Sequence, residues 1–459
     1  MGGAAKSWRR AVGETTVRGV TNLLFARAQM GLSLAFHIAF AAAGVALPLL
    51  MVLADIKYLR TRDPEYLALS KRMAKGTAVL FAVGAVSGTV LSFELGLLWP
   101  RFMGTFGEVI GLPFALEGFA FFTEAIFLGI YLYGRGRVSE RFHLFSGIAV
   151  AVSGAASAFF VTLVNAAMNL PAGFRMENGR PVDVDPIAAM FSPSWAHQVV
   201  HVLLSSYQST AFLMAGIHAL FLLKDSKSTF HRKAFGIALW VACITALLQP
   251  ISGDLSAAGV AKDQPWKLAA MEAQFQTEAG APLRLGGLPD VERRTVSYAL
   301  EIPYGLSLLA FKDPKAVVKG LEEFPRDEWP PVMGVHLAFQ VMVGAGTLMA
   351  LLSAFTVFVS WRRKRVPDGK WLLRGWVVAG PLGLVAMEAG WLVTELGRQP
   401  WIMHGAMRTS EAVTPFQPVS APFWIFTVVY LFLGVTSAYL LYRQILSKPY
   451  TGEADAHGH

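Results

Sequence analysis

The chain has 459 residues, of which 54% are hydrophobic and only 15% charged, whereas a soluble domain carries roughly 25% charged residues. Two soluble domains of this total length would need two polar surfaces, which this composition cannot supply. A soluble enzyme, a nucleic-acid-binding protein and a disordered chain are therefore excluded. The net charge of +9 falls in short segments between apolar runs, which is typical of membrane topology rather than of a phosphate-binding face.

Nine apolar runs, each long enough to cross ~30 Å of hydrocarbon, follow one another along the chain. They lie at residues 24–54, 76–98, 113–133, 144–170, 196–223, 234–252, 333–360, 375–396 and 421–443. We therefore predict an all-α integral membrane protein with nine transmembrane helices. The single cysteine, Cys243, lies inside the sixth run, so neither an intramolecular disulfide nor a cysteine metal cluster is expected.

Basic residues between the runs predict the orientation. The segments after runs 1, 3, 5 and 7 each hold a group of them: Lys57, Arg60, Arg62, Lys71, Arg72 and Lys75; Arg135, Arg137 and Arg141; Lys224, Lys227, Arg232 and Lys233; Arg362, Arg363, Lys364, Arg365, Lys370 and Arg374. The segments after runs 2, 4 and 8 hold only Arg101, then Arg175 and Arg180, then Arg398 and Arg408. The positive-inside rule then places the N-terminus outside and the C-terminus in the cytoplasm. The N-terminal tail disagrees, with Lys6, Arg9, Arg10 and Arg18, but four segments outweigh one tail.

One long segment between the runs, residues 253–332, divides the chain. Residues 1–252 carry the tail and helices 1–6, and residues 333–459 carry helices 7–9 and a cytoplasmic tail. The predicted orientation puts the long segment outside the cell. A loop of this length in a compact protein is more often functional than accidental.

Ionisable side chains inside the runs are candidates for function, because each costs at least ~2.5–3.5 kcal/mol in a bilayer. They are His37, Glu94, Glu117, Glu124, His197, His201, His218, His336, Glu388 and Glu395. Almost no lysine or arginine lies opposite them, so ion pairing does not explain the set. Neutral imidazoles and lone carboxylates suit haem iron and proton relays, but each could equally form a helix-to-helix hydrogen bond. The residues alone leave a haem or redox protein and a proton-coupled transporter equally open.

Eight motifs together carry a more specific signal. They are GRQPW at 397–401, MEAGW at 387–391, RAQMGLSLAFH ending at His37, SFELGLLWPRFMG at 92–104, LEGFAFFTE at 116–124, HQVVHVLLSSYQ at 197–208, KLAAMEA at 267–273 and FQVMVGAG at 339–346. With these motifs in their order along the chain, the sequence resembles subunit I of the cytochrome bd-type quinol oxidases through all nine runs, from about residue 20 to residue 445. The resemblance implies two four-helix bundles plus one further helix, and three haems.

The resemblance also implies roles for particular residues. His201 and Met342 match the axial pair of a low-spin haem b, and His37 and Glu395 match the ligands of the two other haems. Those two are a second haem b and either a haem d or a third haem b, and which ligand holds which stays open. Three more residues match positions beside the haems: Trp391, Arg398 and Trp401.

Two pairs of residues match the family's proton and quinol chemistry. Lys267 and Glu272 correspond to residues of the long segment, the Q-loop, that take part in quinol oxidation, where a carboxylate accepts a proton and a lysine steadies negative charge. Glu117 and Glu124 correspond to a proton route toward the oxygen site, with Ser157 on the adjoining helix.

The function implied is that of the haem-bearing catalytic subunit of a terminal oxidase, multi-pass in the bacterial cytoplasmic (inner) membrane. Ubiquinol or menaquinol would be oxidised at the outer face and oxygen reduced to water with cytoplasmic protons, giving a proton gradient without pumping. The partners implied are a second membrane subunit (subunit II) and a small single-span accessory subunit, with no nucleic acid. The alternatives are a proton-coupled secondary transporter and a passive dihaem electron carrier.

Three features depart from the commonest pattern of the family. Gln340 stands two residues before Met342, where members often carry arginine, which is similar to the cyanide-insensitive branch with a third haem b in place of haem d. The Q-loop has the short form. The spacing from Glu117 to Glu124 is one residue tighter than in some members.

Overall fold

The computed structural model describes residues 2–415 and 419–443, with side chains from Asn22 onward. The predicted C-terminal tail and the side chains of Lys6, Arg9, Arg10 and Arg18 lie outside this part. Within it, nine helical segments are long and apolar enough to cross a membrane. They are α1 (Gly2–Thr61), α2 (Pro64–Leu98), α3 (Pro100–Gly134), α4 (Glu140–Asn169), α6 (Trp195–Lys224), α7 (Thr229–Asp263), α10 (Val332–Arg363), α11 with α12 (Lys370–Ala379 and Leu382–Leu396), and α14 (Ser420–Leu441).

The nine predicted spans are confirmed, but most helices extend beyond them. Helix α3 begins at Pro100, directly after the end of α2, so Arg101 lies in a helix rather than in a loop. The basic residues Lys71, Arg72 and Lys75 likewise lie within α2. The reason is that a helix continues through polar residues wherever its backbone can, whereas hydropathy detects only the part suited to hydrocarbon.

The helices form two bundles, as predicted. Helices α1 to α4 pack together, and α6, α7, α10 and the α11–α12 pair form the second group. Helix α1 also contacts α6, which joins the bundles, and α14 lies against α1 and α2.

A buried carboxylate, Asp55, ties the first bundle together near one end. Its Oδ1 accepts hydrogen bonds from Arg135 Nη2 at 2.6 Å and Ser70 Oγ at 3.2 Å. Its Oδ2 accepts from Tyr131 OH at 3.0 Å and lies 3.2 Å from His143 Nδ1. These partners come from α2, α3 and α4 or their ends, so the residue stabilises the mutual position of all four helices.

In the second bundle, α6 meets the broken helix α11–α12 at glycines. A Cβ placed on Gly216 would lie 3.0 Å from Gly380 Cα, and one on Gly383 would lie 2.4 Å from Ser209 Cα. The break falls at Gly380 and Pro381, where proline cannot donate to a preceding turn. The backbones therefore touch at two levels, which small residues allow in membrane helices.

The segment between α7 and α10, residues 264–331, is called the long loop below. Helix α7 extends to Asp263, so residues 253–263 of the predicted long segment are helical, because Leu255, Val260 and three alanines allow the helix to continue past the apolar run. The loop begins with α8 (Pro265–Met271) and continues as three nested antiparallel ladders. The ladders pair β3 (Glu278–Ala279) with β8 (Val317–Val318), β4 (Leu283–Leu285) with β7 (Leu300–Ile302), and β5 (Leu288–Asp290) with β6 (Thr295–Ser297). A short helix, α9 (Gly305–Phe311), lies between β7 and β8.

Smaller elements complete the chain. Between α4 and α6 lie a hairpin, β1 (Arg175–Glu177) with β2 (Arg180–Val182), and the short helix α5 (Pro186–Met190). Two single-turn 3₁₀ helices, Leu321–Glu323 and Arg326–Glu328, precede α10. After α12 come β9 (Trp401–Met403), β10 (Met407–Arg408) and α13 (Thr409–Ala412).

Candidate functional site

His201 on α6 is held by two residues of α7. Its Nδ1 lies 3.1 Å from Ser252 Oγ, and its Nε2 lies 3.1 Å from Gln249 Nε2. Because an amide nitrogen only donates, Nε2 is the accepting nitrogen, and a neutral ring then carries its proton on Nδ1 and donates it to Ser252. A metal-binding histidine likewise donates one ring N–H to a partner and coordinates through the lone pair of the other nitrogen, so Gln249 occupies the atom of His201 that would bind a metal.

Met342 on α10 faces a glycine of α12. A Cβ on Gly390 would lie 2.9 Å from Met342 Sδ, closer than two unbonded atoms of this kind can approach. Any larger residue at position 390 would displace the thioether. The motif MEAGW therefore includes its glycine for a steric reason.

His37 on α1 repeats the arrangement of His201. Its Nδ1 lies 2.9 Å from Ser87 Oγ, and that hydroxyl donates to the carbonyl oxygens of Val83 and Gly84. With its one hydrogen so engaged, the serine oxygen accepts from Nδ1 of the histidine. The Nε2 atom of His37 then keeps its lone pair. In His201 the corresponding lone pair accepts from Gln249.

Glu395 lies at the end of α12 and is bound on both oxygens. Its Oε1 accepts from Asn165 Nδ2 at 3.0 Å, and its Oε2 accepts from Arg398 Nη2 at 2.6 Å. Arg398 is only 4% exposed. Among the residues that the structure describes, its Nε and Nη1 atoms are buried and meet no hydrogen-bond partner. Two charged donors of Arg398 therefore still need an acceptor.

A chain of hydrogen bonds leads from Glu395 to the long loop. Lys267 Nζ donates to Asn169 Oδ1, Asn169 Nδ2 donates to Asn165 Oδ1 at 2.9 Å, and Asn165 donates to the carboxylate. Every bond points the same way, from an ammonium group to a carboxylate, so the amide dipoles are aligned with the charges at both ends. Neither asparagine was identified from the sequence, because neither is ionisable and neither lies within the eight motifs.

Lys267 is enclosed by protein. Its stem lies against Gly397 of the GRQPW motif, where a Cβ would come within 3.0 Å of Lys267 Cγ. Burial, followed by the nearby Arg398, lowers the pKa of the ammonium group to about 7, and Glu395 opposes both effects. Near neutral pH the lysine can therefore carry or lose its charge.

His404 lies close to Lys267 and was not identified from the sequence. Its ring stacks on Trp266 with a centroid distance of 4.0 Å. Burial, followed by Lys267 and then Arg398, lowers the pKa of His404 to about 4. The imidazole is therefore neutral at physiological pH and adds no charge beside the lysine.

Glu272 follows α8 directly and is 1% exposed. Burial raises the pKa of its carboxyl group to about 8, and Arg284 on β4 partly opposes this. Its Oε2 has no hydrogen-bond partner among the described residues. A buried carboxyl group of this kind can take up a proton near neutral pH.

Two side chains of α10 hold the long loop beside Glu272. His336 Nδ1 lies 2.8 Å from the carbonyl oxygen of Met271, and its Nε2 lies 3.1 Å from that of Gly286. One turn later, Gln340 accepts from the amide of Gly286 at 2.9 Å and donates to the carbonyl oxygen of Arg284 at 2.9 Å. Gln340, noted in the sequence for what it replaces, thus binds loop backbone.

Glu117 and Glu124 lie seven residues apart on α3 and face α4. Ser157 Oγ donates to Glu117 Oε1 at 2.8 Å. A Cβ on Gly154 would lie 3.4 Å from Glu124 Oε1. The contacts run along one face of α4, at residues 154, 157, 165 and 169, so Glu124, Glu117 and Glu395 follow one another along this helix. Glu117 lies midway along α3, which runs from Pro100 to Gly134.

The other candidates form local contacts. Trp391 is half-buried on α12, and Trp401 lies under the Arg408 guanidinium at 5.1 Å. His218 Nδ1 lies 3.0 Å from His231 Nδ1. No group of three or more His, Cys, Asp or Glu side chains placed to hold a metal ion occurs in the described part of the chain. Cys243 is buried, as expected.

Three further intramembrane residues keep unpaired polar atoms. Glu94 accepts from Gln29 and Ser33, each at 2.9 Å, on Oε1. Glu94 Oε2, Glu388 Oε2 and both ring nitrogens of His197 are buried without a partner in the described residues.

Comparison with known proteins identifies the family. The profile of cytochrome bd terminal oxidase subunit I matches residues 25–449. The chain belongs to this family. A relative from Bacillus subtilis (strain 168), assigned to subunit I of a cytochrome bd menaquinol oxidase, is 41% identical over 434 residues, which cover 93% of this chain and 97% of the relative. Another from the same organism, cytochrome bd ubiquinol oxidase subunit 1, is 31% identical over 443 residues, covering 93% and 94% of the two chains.

A solved structure agrees with these relatives. The bd oxidase from Geobacillus thermodenitrificans matches with a TM-score of 0.88 and 42% identity, over 94% of this chain and all of that one. Membership in the cytochrome bd family implies a multi-pass protein of the bacterial inner membrane that takes part in respiratory electron transport as a terminal quinol oxidase. It also implies haem cofactors and a subunit II partner. The transporter and the passive electron carrier find no support.

The residues present fit haem. His37 and His201 each donate their Nδ1–H to a serine, as an axial histidine does, and the Nε2 lone pair that would meet the iron is kept in His37 and accepts from Gln249 in His201. The buried, unpartnered Nε and Nη1 atoms of Arg398 suit an anionic propionate. The thioether of Met342 is of the soft ligand type that, paired with histidine, is used in electron-transfer haems.

Proposed function

We propose that this chain is the haem-bearing catalytic subunit of its oxidase, which oxidises membrane quinol at the long loop and reduces oxygen to water inside the bundles. His201 with Met342 would hold a low-spin haem b, and His37 and Glu395 would hold the two other haems. These would be a haem b and either a haem d or a third haem b. Bound haem would supply the one-electron chemistry and the oxygen-binding site.

The observation that carries the proposal is the line of polar contacts along α4. Its upper part joins Lys267 to Glu395 through Asn169 and Asn165, and its lower part presents Ser157 to Glu117. One helix thus serves the proposed quinol site, the proposed haem carboxylate and the proposed proton route. A buried polar line of this length is costly in a membrane unless it has a function.

At the quinol site, Lys267 and Glu272 would divide the work. The Glu272 carboxylate takes a proton from the quinol hydroxyl, and the charged Lys267 steadies the negative charge that develops on the quinol oxygen. Oxidation of one quinol to quinone releases two protons and two electrons. Four electrons and four protons convert one oxygen molecule to two waters, so two quinols are consumed for each oxygen.

The protons for water formation would arrive from the other side of the membrane through Glu124 and Glu117. We place the N-terminus and the long loop outside, and the C-terminus in the cytoplasm, from the distribution of basic residues. Release of quinol protons outside and uptake of cytoplasmic protons then build a gradient without a pump. In this scheme residues 1–252, 253–332 and 333–459 act as the first membrane part, the quinol loop and the second membrane part, with the loop's own fold beginning after Asp263.

A spectroscopic experiment tests the proposal. The complex with subunit II, and with a single-span accessory chain if one copurifies, is assayed by pyridine haemochrome and by oxygen uptake with ubiquinol and menaquinol. We expect three haems and quinol-dependent oxygen uptake, and the haemochrome distinguishes haem d from a third haem b.

Substitution of the ligands sharpens this test. His201→Ala should remove the low-spin haem b signal, whereas His218→Ala, a buried histidine bound to His231, should leave it. An unchanged reduced spectrum in the His201 variant would refute the ligand assignment.

A further inference from the structure

The long loop carries large apolar side chains on its surface, although it lies outside the spanning helices. Leu285 and Leu300 are directly paired across the β4–β7 ladder, so their side chains lie on the same face, and Ile302 follows two residues after Leu300. All three are exposed, Leu300 by 66%. A surface patch of this kind on an extramembrane segment marks an interaction site.

The patch continues onto α9. A Cβ on Gly305 would lie 2.8 Å from Leu283 Cβ, so the helix starts directly against β4. Tyr304, Leu308 and Phe311 are exposed along it. We call these six residues, three on the ladder and three at α9, the apolar face: Leu285, Leu300, Ile302, Tyr304, Leu308 and Phe311.

The position of α9 brings the apolar face next to a spanning helix. Lys312, at the end of α9, donates a hydrogen bond to Asp254 of α7. The neighbours of Asp254 on α7, Ile251 and Leu255, are 59% and 62% exposed. They extend a stripe of exposed aliphatic residues with helical spacing, Ile244, Leu248, Ile251 and Leu255. A stripe of exposed aliphatic residues on a spanning helix suits contact with lipid.

We infer that the apolar face rests on the membrane surface and contacts lipid at the level where α7 leaves the hydrocarbon. The face is continuous with the lipid-facing stripe of α7 through the bond between Lys312 and Asp254. Its aromatic member, Tyr304, is of the type enriched at membrane–water interfaces. The exposed Lys315 lies just beyond α9, where an ammonium group can reach lipid headgroups.

With the apolar face on lipid, the two faces of β4 have different surroundings. Side chains alternate along a strand, so Leu285 points to the apolar face while Arg284 points to the other side, where it acts on Glu272 and donates to Gln274 at 2.7 Å. A single strand then separates lipid from Glu272. This last consequence rests on the proposed quinol chemistry, but lipid contact itself does not.

The experiment measures lipid contact without using turnover. Because Cys243 is buried, a cysteine introduced at the surface of this chain can be labelled in preference to it. Leu308→Cys and Leu300→Cys are made in the complete oxidase in phosphatidylcholine nanodiscs and treated with a charged, water-soluble maleimide. The control is Arg293→Cys, at the tip of the β5–β6 hairpin, where the side chain is 83% exposed and its neighbour Arg294 lies over Trp329 just before α10.

We expect the two test cysteines to react at least about tenfold more slowly than the control, because a thiol at the lipid surface forms little thiolate. In detergent-free samples with a diazirine-bearing phosphatidylcholine, irradiation should attach lipid to the peptide that contains α9 and not to the hairpin tip, as read by mass spectrometry. Equal maleimide rates would overturn the inference. Slow labelling without lipid attachment, or attachment of a subunit II peptide instead, would also overturn it, since a protein would then cover the face. If the wild-type complex captures lipid in this way but shows no quinol-dependent oxygen uptake, the result counts against the proposed function alone.

Discussion

The rate of quinol oxidation should follow a bell-shaped dependence on pH. Burial raises the pKa of Glu272 to about 8, so the carboxylate that accepts the quinol proton becomes abundant only as the pH rises toward 8. Burial lowers the pKa of Lys267 to about 7, so the ammonium group that steadies the quinol oxygen is lost as the pH rises above 7. Quinol oxidation therefore requires Glu272 deprotonated and Lys267 protonated. Between pH ~7 and pH ~8 each of these is the less abundant form of its residue, and the rate is highest near pH ~7.5.

The size of the effect follows from the two pKa values. Since each pH unit changes a protonation ratio tenfold, about a quarter of each residue is in the required form at pH ~7.5. The two forms coincide in about 6% of the sites. The rate should fall roughly two- to threefold over the first pH unit on either side, and about tenfold for each unit beyond that.

The assay is anaerobic stopped-flow measurement of haem reduction by a quinol whose own pKa lies above the range studied. Glu272→Gln should slow the reaction and abolish the fall on the acid side. Lys267→Met should slow it and abolish the fall on the alkaline side. Lys319→Met removes an exposed lysine of the same loop and should leave both sides unchanged. A flat wild-type profile, or variants that keep both sides of the bell, would refute the assignment of these two residues.

Three further predictions concern the helices. Gly390→Ala should weaken the low-spin haem signal, because its Cβ would meet Met342 Sδ at 2.9 Å, whereas Gly346→Ala, with nothing within 4 Å, should not; equal reduced-minus-oxidised spectra would contradict this. Asn169→Leu removes the acceptor of the buried Lys267 ammonium. It should raise the KM for quinol about tenfold to a hundredfold, since a hydrogen bond to a charged group contributes about 1.5–3 kcal/mol. An unchanged KM would count against the chain of hydrogen bonds along α4. Glu124→Gln should slow oxygen uptake while haem content stays constant, and normal turnover would remove this residue from the proton route.

The transmembrane architecture could be predicted from the sequence because long apolar runs have few structural alternatives in a membrane. The helix ends could not, since helix formation continues past the hydrocarbon, as at α3 and α7. The nested hairpin of the long loop also escaped prediction. Its strands have only two or three residues, too few for an alternating pattern to stand out.

The site was predictable in part. Ionisable residues in apolar runs are candidates for function because burying them in a bilayer costs free energy. This criterion selected His37, His201 and Glu395. The serine partners of the two histidines could not be identified in this way. Ser87 and Ser252 lie about fifty residues away from the histidines along the chain, and hydroxyl groups are common in membrane helices. Asn165 and Asn169 carry no charge, so only the packing of α4 against α12 and the long loop brings them to notice. The roles of these residues in haem binding and proton transfer stay predictions.

The glycine contacts between α6 and the α11–α12 helix have a mechanical consequence for the whole cofactor region. His201 on α6 lies fifteen residues from Gly216, and Glu395 on α12 lies fifteen residues from Gly380, which is about 22 Å along each helix. The two backbones touch at these glycines and carry their proposed ligands at the opposite ends. A change in the angle between the helices at the contact therefore displaces the ligands. A methyl group inserted at Gly216 or Gly383 would change the angle between the two helices, and the displacement of each helix would grow with distance from the contact. Substitution of these glycines should therefore alter haem spectra, although they lie far from the proposed ligands.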